Sequence, residues 1–150
     1  YYLGCKWQCL EDKTTKPPTY SSTAWAFVEG NPYFTLEMLS SKYWSFRLSD
    51  LMATNADGSR KVFTTLSVVG RLYNQDVTDS MTNVVWTRET NNPTADNKWA
   101  LSHANCGLSV DLTYEDLGGR AFQVGTVVFR CSAEIKDGET MYSEDVSVNF

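Results

Sequence analysis

Little in this 150-residue chain suits a membrane span, a phosphate-binding face or a catalytic centre. No apolar run approaches the ~20 residues that cross a bilayer as a helix, and no basic segment followed by an apolar stretch opens the chain. Neither charge sign forms a long run. Thirteen basic against eighteen acidic residues leave a formal charge of -5, so a surface that tracks phosphates is not expected. Neither nucleic acid nor membrane is therefore an expected partner. Histidine occurs once, at His103, with no G-x-S-x-G and no H-E-x-x-H, so nucleophilic and metallohydrolase schemes lack parts. His103 reads as a surface or satisfied histidine, and the carboxylates Glu115, Asp116, Glu134 and Asp137 read as solvated turn and outward strand positions. Internal repeats and low-complexity tracts are missing as well. No enzyme and no cofactor are expected.

Cysteine is present but sparse, at positions 5, 9, 106 and 131. In an extended chain Cys5 and Cys9 share a face yet stand roughly 13 Å apart at about 3.3 Å per residue, whereas a disulfide needs Cα atoms about 5–6 Å apart. A local bridge would need a bend. Cys5, Cys9, His103 and Cys106 could make up a zinc set, but C-x3-C is looser than the usual knuckle and the second pair would have to come across the fold. A redox role needs C-x-x-C beside a βαβ unit, and neither is here. The four cysteines read as free thiols, with Cys131 as a small buried hydrophobe.

What the chain does contain is period-two alternation and many aromatic rings. Val127, Phe129, Cys131, Ala133 and Ile135 fall on one face of a strand with Val128, Arg130, Ser132 and Glu134 opposite. Asp137-Gly138 then suits a tight turn with positive φ, and Val146, Val148 and Phe150 alternate on the returning strand. Residues 61–78, 83–89 and 108–112 read as strands, as do 33–39 and 43–48. Asn55 to Gly58 reads as a turn. One short helix is predicted over 94–104, with Thr94 as its cap and Trp99 and His103 four apart. Short strands with turn signals between them and almost no helix argue for an all-β sandwich. A chain of 150 residues can bury such a core without staples.

Residues 1–32 differ in texture, with a short aromatic strand, a polar loop stiffened by Pro17-Pro18, and Gly30-Asn31-Pro32 as a joint to residues 33–150. Tyr1, Tyr2, Trp7, Tyr20 and Trp25 concentrate in this appendage. Two uses are open to them. Exposed rings stack on sugar faces or a partner's surface, which makes Tyr2, Trp7, Tyr20 and Trp25 candidate glycan-stacking residues; alternatively they form a small core that docks the appendage. Because the chain starts at Tyr1-Tyr2, it also reads as a segment of a longer protein.

Two resemblances add to this. The order Gly4-x-x-Trp7-x-Cys9, a Thr-rich loop, Pro17-Pro18, Ser21-x-x-x-Trp25 and Gly30-Asn31 resembles the second half of small carbohydrate-binding-like modules of chitinases and phage tail proteins. That pattern implies a turn at Gly4, a strand holding Trp7 and Cys9, and a closing strand holding Trp25. Residues 60–150 resemble immunoglobulin-like modules of tail-fibre and host-adhesion proteins of phages and prophages. The Trp86-Thr87-Arg88 strand, the Ala95-Asp96-x-x-Trp99 insertion, the stretch from Leu108 through Val110 to Glu115-Asp116-Leu117 and the Cys131 strand carry this similarity. Trp86 facing Cys131 matches the tryptophan and cysteine of such a core. The strand that should hold the second cysteine has Leu66, Val68 and Gly70 inward instead, so no inter-sheet disulfide is expected.

The resemblance implies a non-enzymatic structural and adhesion module of a virion tail, with host surface glycan or protein and other tail-protein domains as partners. Assembly in a reducing cytoplasm fits unpaired cysteines. The alternative is a rigid spacer domain of a bacterial secreted or cell-surface protein.

Overall fold

The alternating stretches become the faces of two stacked sheets in a computed structural model that describes residues 1–42, 44–118 and 126–150. Along the chain run β1 (Lys6–Cys9), β2 (Trp25–Glu29), β3 (Thr35–Ser40), the short helix α1 (Leu48–Met52), β4 (Thr64–Leu72) and β5 (Gln75–Asp76). There follow β6 (Thr82–Glu89), the helix α2 (Pro93–Ser102), β7 (Ser109–Leu112), β8 (Val128–Asp137) and β9 (Thr140–Asn149). One sheet centres on β4, which pairs antiparallel with β3 on one side and with β7 and β5 on the other. The second has the order β6-β8-β9. With β3, β4 and β7 as strands A, B and E, and β6, β8 and β9 as C, F and G, this is the immunoglobulin-like order. The fold is an all-β sandwich with a separate two-stranded unit, β1-β2, at its N-terminal end.

The core sits where the inward faces meet. Leu66, Val68 and Leu72 of β4 and Val110 and Leu112 of β7 face Trp86 of β6 and Phe129, Cys131, Ala133 and Ile135 of β8, all of them buried. Trp86 is the register partner of Cys131, and its indole N–H donates to the Gly107 carbonyl at 2.8 Å. Fully burying an aliphatic or aromatic side chain of this size is worth about 1.5–3 kcal/mol, so this apolar interface can replace an inter-sheet disulfide. Gly70 completes the inward face of β4 because nothing larger fits. A Cβ there would run into Met81 Sδ and the Phe34 ring.

The β8–β9 hairpin turns at Gly138, φ +59, with Asp137 opposite Thr140, which places the glycine at the first central position as type II′ turns require. Asn55 to Gly58 is a turn closed by Gly58 N–H to Asn55 O at 3.0 Å.

Three predicted elements differ. The chain predicted as a strand over 43–48 forms no ladder across residues 44–47 and enters α1 at Leu48; Tyr43 lies outside the described residues. There Phe46 packs edge-on against Phe63 and at a tilt against Phe150, so its aromatic content serves end-packing rather than pairing. Residues 61–78 are not one strand, because Tyr73 and Asn74, at φ +52 and +60, turn β4 back into β5. The α2 cap is Asn92, whose Oδ1 accepts from Ala95 N at 3.1 Å, with Pro93 at the first helical position.

Candidate functional site

The β1-β2 unit pairs Trp7 with Phe27 and Cys9 with Trp25, following a turn at Leu3-Gly4. Trp7 packs edge-on against Phe27 at 5.6 Å and Tyr73 at 5.1 Å between ring centroids. Its buried indole N–H has no partner among the described residues, a loss of about 1–3 kcal/mol for such a group. Trp25 is half-buried and donates its indole N–H to Lys16 O at 2.8 Å. Tyr20 is half-buried against the core and donates its backbone N–H to Gln75 Oε1 at 3.1 Å. Tyr2 is half-buried and bridges to Cys5 through its backbone. Among the described residues no ring contact joins these four to one another. They are spread over the appendage, and Trp7 faces the sandwich.

What gathers the appendage is the Tyr73-Asn74 turn, to which no motif pointed. Asn74 donates from Nδ2 to Leu3 O at 3.0 Å, and its Oδ1 accepts from Asn31 at 3.4 Å. The fully buried Cys5 thiol donates to Tyr73 O at 3.6 Å. Gly30 is where the chain leaves β2, and a Cβ there would sit 2.8 Å from Cys5 Sγ and 2.9 Å from Cys5 Cα. The Tyr73 hydroxyl donates to Asp137 Oδ2 at 2.8 Å, and Asp137 Oδ1 accepts from Ser21 N at 2.6 Å. Burial, then the neighbouring Asp137, holds the Tyr73 hydroxyl well above the ordinary tyrosine range. Asp137 is thus a pin between turn and appendage rather than a solvated turn carboxylate.

A second buried network seats α2. Arg88 Nε lies 2.9 Å from Asp96 Oδ1, with both side chains nearly excluded from solvent. Asp96 also accepts from Thr90 N at 2.8 Å and from Thr90 Oγ1. Arg88 donates to Asp116 O and lies over the Trp99 ring at 5.9 Å. Trp99 gives its indole N–H to Asp116 Oδ1 at 2.7 Å, and Asp116 Oδ2 accepts from Thr113 N. His103 stacks on Trp99 at 4.1 Å, its Nδ1 2.8 Å from Trp99 O. Asp116, predicted as solvated, is a structural acceptor, and His103 is a satisfied histidine.

The cysteines are all free thiols. Cys9 is exposed and Cys131 fully buried; burial, and then the neighbouring Cys106, push the Cys131 thiol up to about 12. Among the described residues no group of three or more His, Cys, Asp or Glu side chains is placed to hold a metal ion.

The pole of the sandwich away from the appendage carries an open cleft of about 330 Å³. Phe46 and Phe63 line it, with their rings 4.8 Å apart and edge to face. Lys42, Lys61, Ser45 and Asp50 supply its polar groups. Trp44 is half-exposed (49%) close by and backs onto Phe150 at 6.2 Å. Neither lysine belongs to an ion pair among the described residues. Sequence reasoning passed over these residues because Trp44 and Phe46 were absorbed into a predicted strand, while Lys61 lies nineteen positions from Lys42. The signal that was available is an aromatic run bracketed by two lysines across a turn.

No family model, curated protein or solved structure matches the chain. The geometry alone therefore bears on what the sandwich does.

Proposed function

We propose that the chain is a non-enzymatic structural and adhesion module of a phage or prophage tail protein, displaying surface for host glycan or protein and abutting other tail-protein domains. The observation that supports it best is the two-ended build. At one pole the appendage is pinned to the sandwich by Tyr73, Asn74 and Asp137. At the other a cleft lined by Phe46 and Phe63, with two lysines that form no ion pair among the described residues, is open to solvent. A module that holds one end and presents the other needs those two features and no catalytic group. The test is binding of the folded chain to a glycan array and to whole bacterial cells. Saturable binding without turnover of the bound glycan is expected, and turnover would overturn the reading.

A second reading, a rigid spacer of a bacterial secreted or cell-surface protein, is favoured by Trp7. Its ring is wedged between Phe27 and Tyr73, as in a docking core. If Trp7→Ala lowers stability and binding is found to no cell or glycan, the spacer reading replaces the adhesive one.

A further inference from the structure

We propose that the cleft between the start of β4 and the approach to α1 binds an acidic sugar residue, its carboxylate taken by Lys42 and Lys61 and its ring face by Phe46. This rests on the adhesive reading and moves the ligand to the pole opposite Tyr2, Trp7, Tyr20 and Trp25.

Charge is the first support. The chain carries -5 overall, and several arginines are spent internally: Arg88 on Asp96, Arg130 on Glu89 and Asp145, Arg60 on Glu115. Lys42 and Lys61 come from different loops, line one cleft and form no ion pair among the described residues, Asp50 being the one carboxylate among the residues lining it. Two unpaired ammonium groups bordering one concavity favour an anion, and a charged donor makes a hydrogen bond roughly twice as strong as a neutral one.

The aromatic surface is the second. Trp44 is half-exposed, and Phe150 supports it from behind with the rings inclined at 31°. Phe150 in turn packs on Phe46, Phe63 and Phe129. Within the cleft, Phe46 is held edge-on by Phe63 and offers an apolar ring at small cost in side-chain entropy, which suits the C–H face of a pyranose, while Trp44 borders this cluster through Phe150.

The polar rim and the volume separate a sugar from an acidic peptide. Ser45 and Asp50 line the cleft beside the lysines. Asp50 Oδ2 accepts from Arg47 N at 3.3 Å, which leaves Oδ1 to accept a ligand hydroxyl. The Asp50 carboxylate in the rim can accept from a neighbouring sugar hydroxyl, a donor that a glutamate side chain does not offer. The cleft's 330 Å³ lies at the small end of the ~300–1,000 Å³ usual for ligand sites, enough for one ring and short for an extended strand.

The experiment uses the whole ¹⁵N-labelled chain, its five tryptophan indoles serving as separate reporters. It is titrated with methyl β-glucuronide, with methyl β-glucoside and with a glutamate-rich peptide. The glucuronide is expected to move the Trp44 indole and the Phe46 and Phe63 amides, leave the Trp7 indole in place, and bind at least about tenfold tighter than the glucoside. Lys42→Gln with Lys61→Gln should remove that preference while leaving the thermal midpoint unchanged, since both lysines are exposed. Equal binding of both sugars, or a preference that survives the double substitution, overturns the acidic-sugar assignment and leaves the adhesive reading standing. Shifts at Trp7 and Trp25 in place of Trp44 overturn the location, and binding of the peptide alone overturns the ligand class. If none of the three probes binds and whole cells do not either, both readings fall.

Discussion

Replacing Asp96 with alanine is expected to destabilise the sandwich by about 3–5 kcal/mol, because it strands a buried guanidinium. The Arg88 side chain is 6% exposed and its closest charged partner is Asp96, at 2.9 Å. After Asp96→Ala, Arg88 keeps, among the described residues, the Asp116 carbonyl at 3.1 Å and the Trp99 ring at 5.9 Å, neither of which carries a negative charge. Thr90 also loses its acceptors. Urea unfolding followed by tryptophan fluorescence and far-UV circular dichroism measures the loss. With a slope of about 2 kcal/mol/M for a domain of this size, the midpoint should fall by about 1.5–2.5 M. The companion variant Arg88→Met with Asp96→Leu leaves no buried charge and should recover most of the loss. The reasoning is refuted if Asp96→Ala shifts the midpoint by under about 0.5 M, or if the double variant is no more stable than the single one. Either result would mean that Arg88 reaches water once its partner is gone and that α2 is held by packing.

Tyr73→Phe removes the hydroxyl bond to Asp137 and should lower stability by about 1–2 kcal/mol, read by denaturant titration; no further loss in an Asp137→Ala background would confirm the pairing. Gly30→Ala drives a methyl group into the Cys5 backbone at a φ of +134 and should cost about 2–3 kcal/mol, with limited proteolysis opening the loop between β1 and β2 first. Stability should fall at alkaline pH. The folded Cys131 thiol sits near 12 against an ordinary value near 9, so its contribution is full below pH 9 and is lost as pH rises toward 12. Tyr73, also raised when folded, adds to the loss above its ordinary value of 10. A urea midpoint unchanged between pH 8 and pH 11 would contradict this. In the native state a thiol reagent should label Cys9 quickly, and Cys131 only after denaturation.

The sheets were legible because period two survives wherever one face is buried. Val127, Phe129, Cys131, Ala133 and Ile135 lie inward as the alternation demands, and Trp86 lies opposite Cys131. The β4–β5 hairpin was not legible. Turn rules look for glycine or asparagine where φ is positive, and one of the two positions here is the bulky Tyr73, held there by Trp7, Phe27 and Asp137. Local propensity also misread residues 43–48. Aromatic residues favour strands only when a neighbouring strand offers a ladder, and at this pole the rings find Phe63 and Phe150 instead. The appendage rings are not gathered in space, since β1 and β2 send Trp7 toward Tyr73 while Trp25 is tied to Lys16. The cleft is assembled from chain on both sides of α1, and the linear order shows only an aromatic run between two lysines, not the approach of the two segments.

The pinned Tyr73-Asn74 turn also settles how the molecule would carry load. Tyr1 to Cys5 lie at the pole anchored by Asn74, while Phe150 lies at the far pole beside Phe46 and Phe63. A pull between the two ends therefore runs along β9, whose ten residues are each paired with β8. Hydrogen bonds of an antiparallel ladder lie perpendicular to the strands, so such a pull shears many of them together rather than peeling them one at a time. The sandwich would resist stretching far better along this axis than across it.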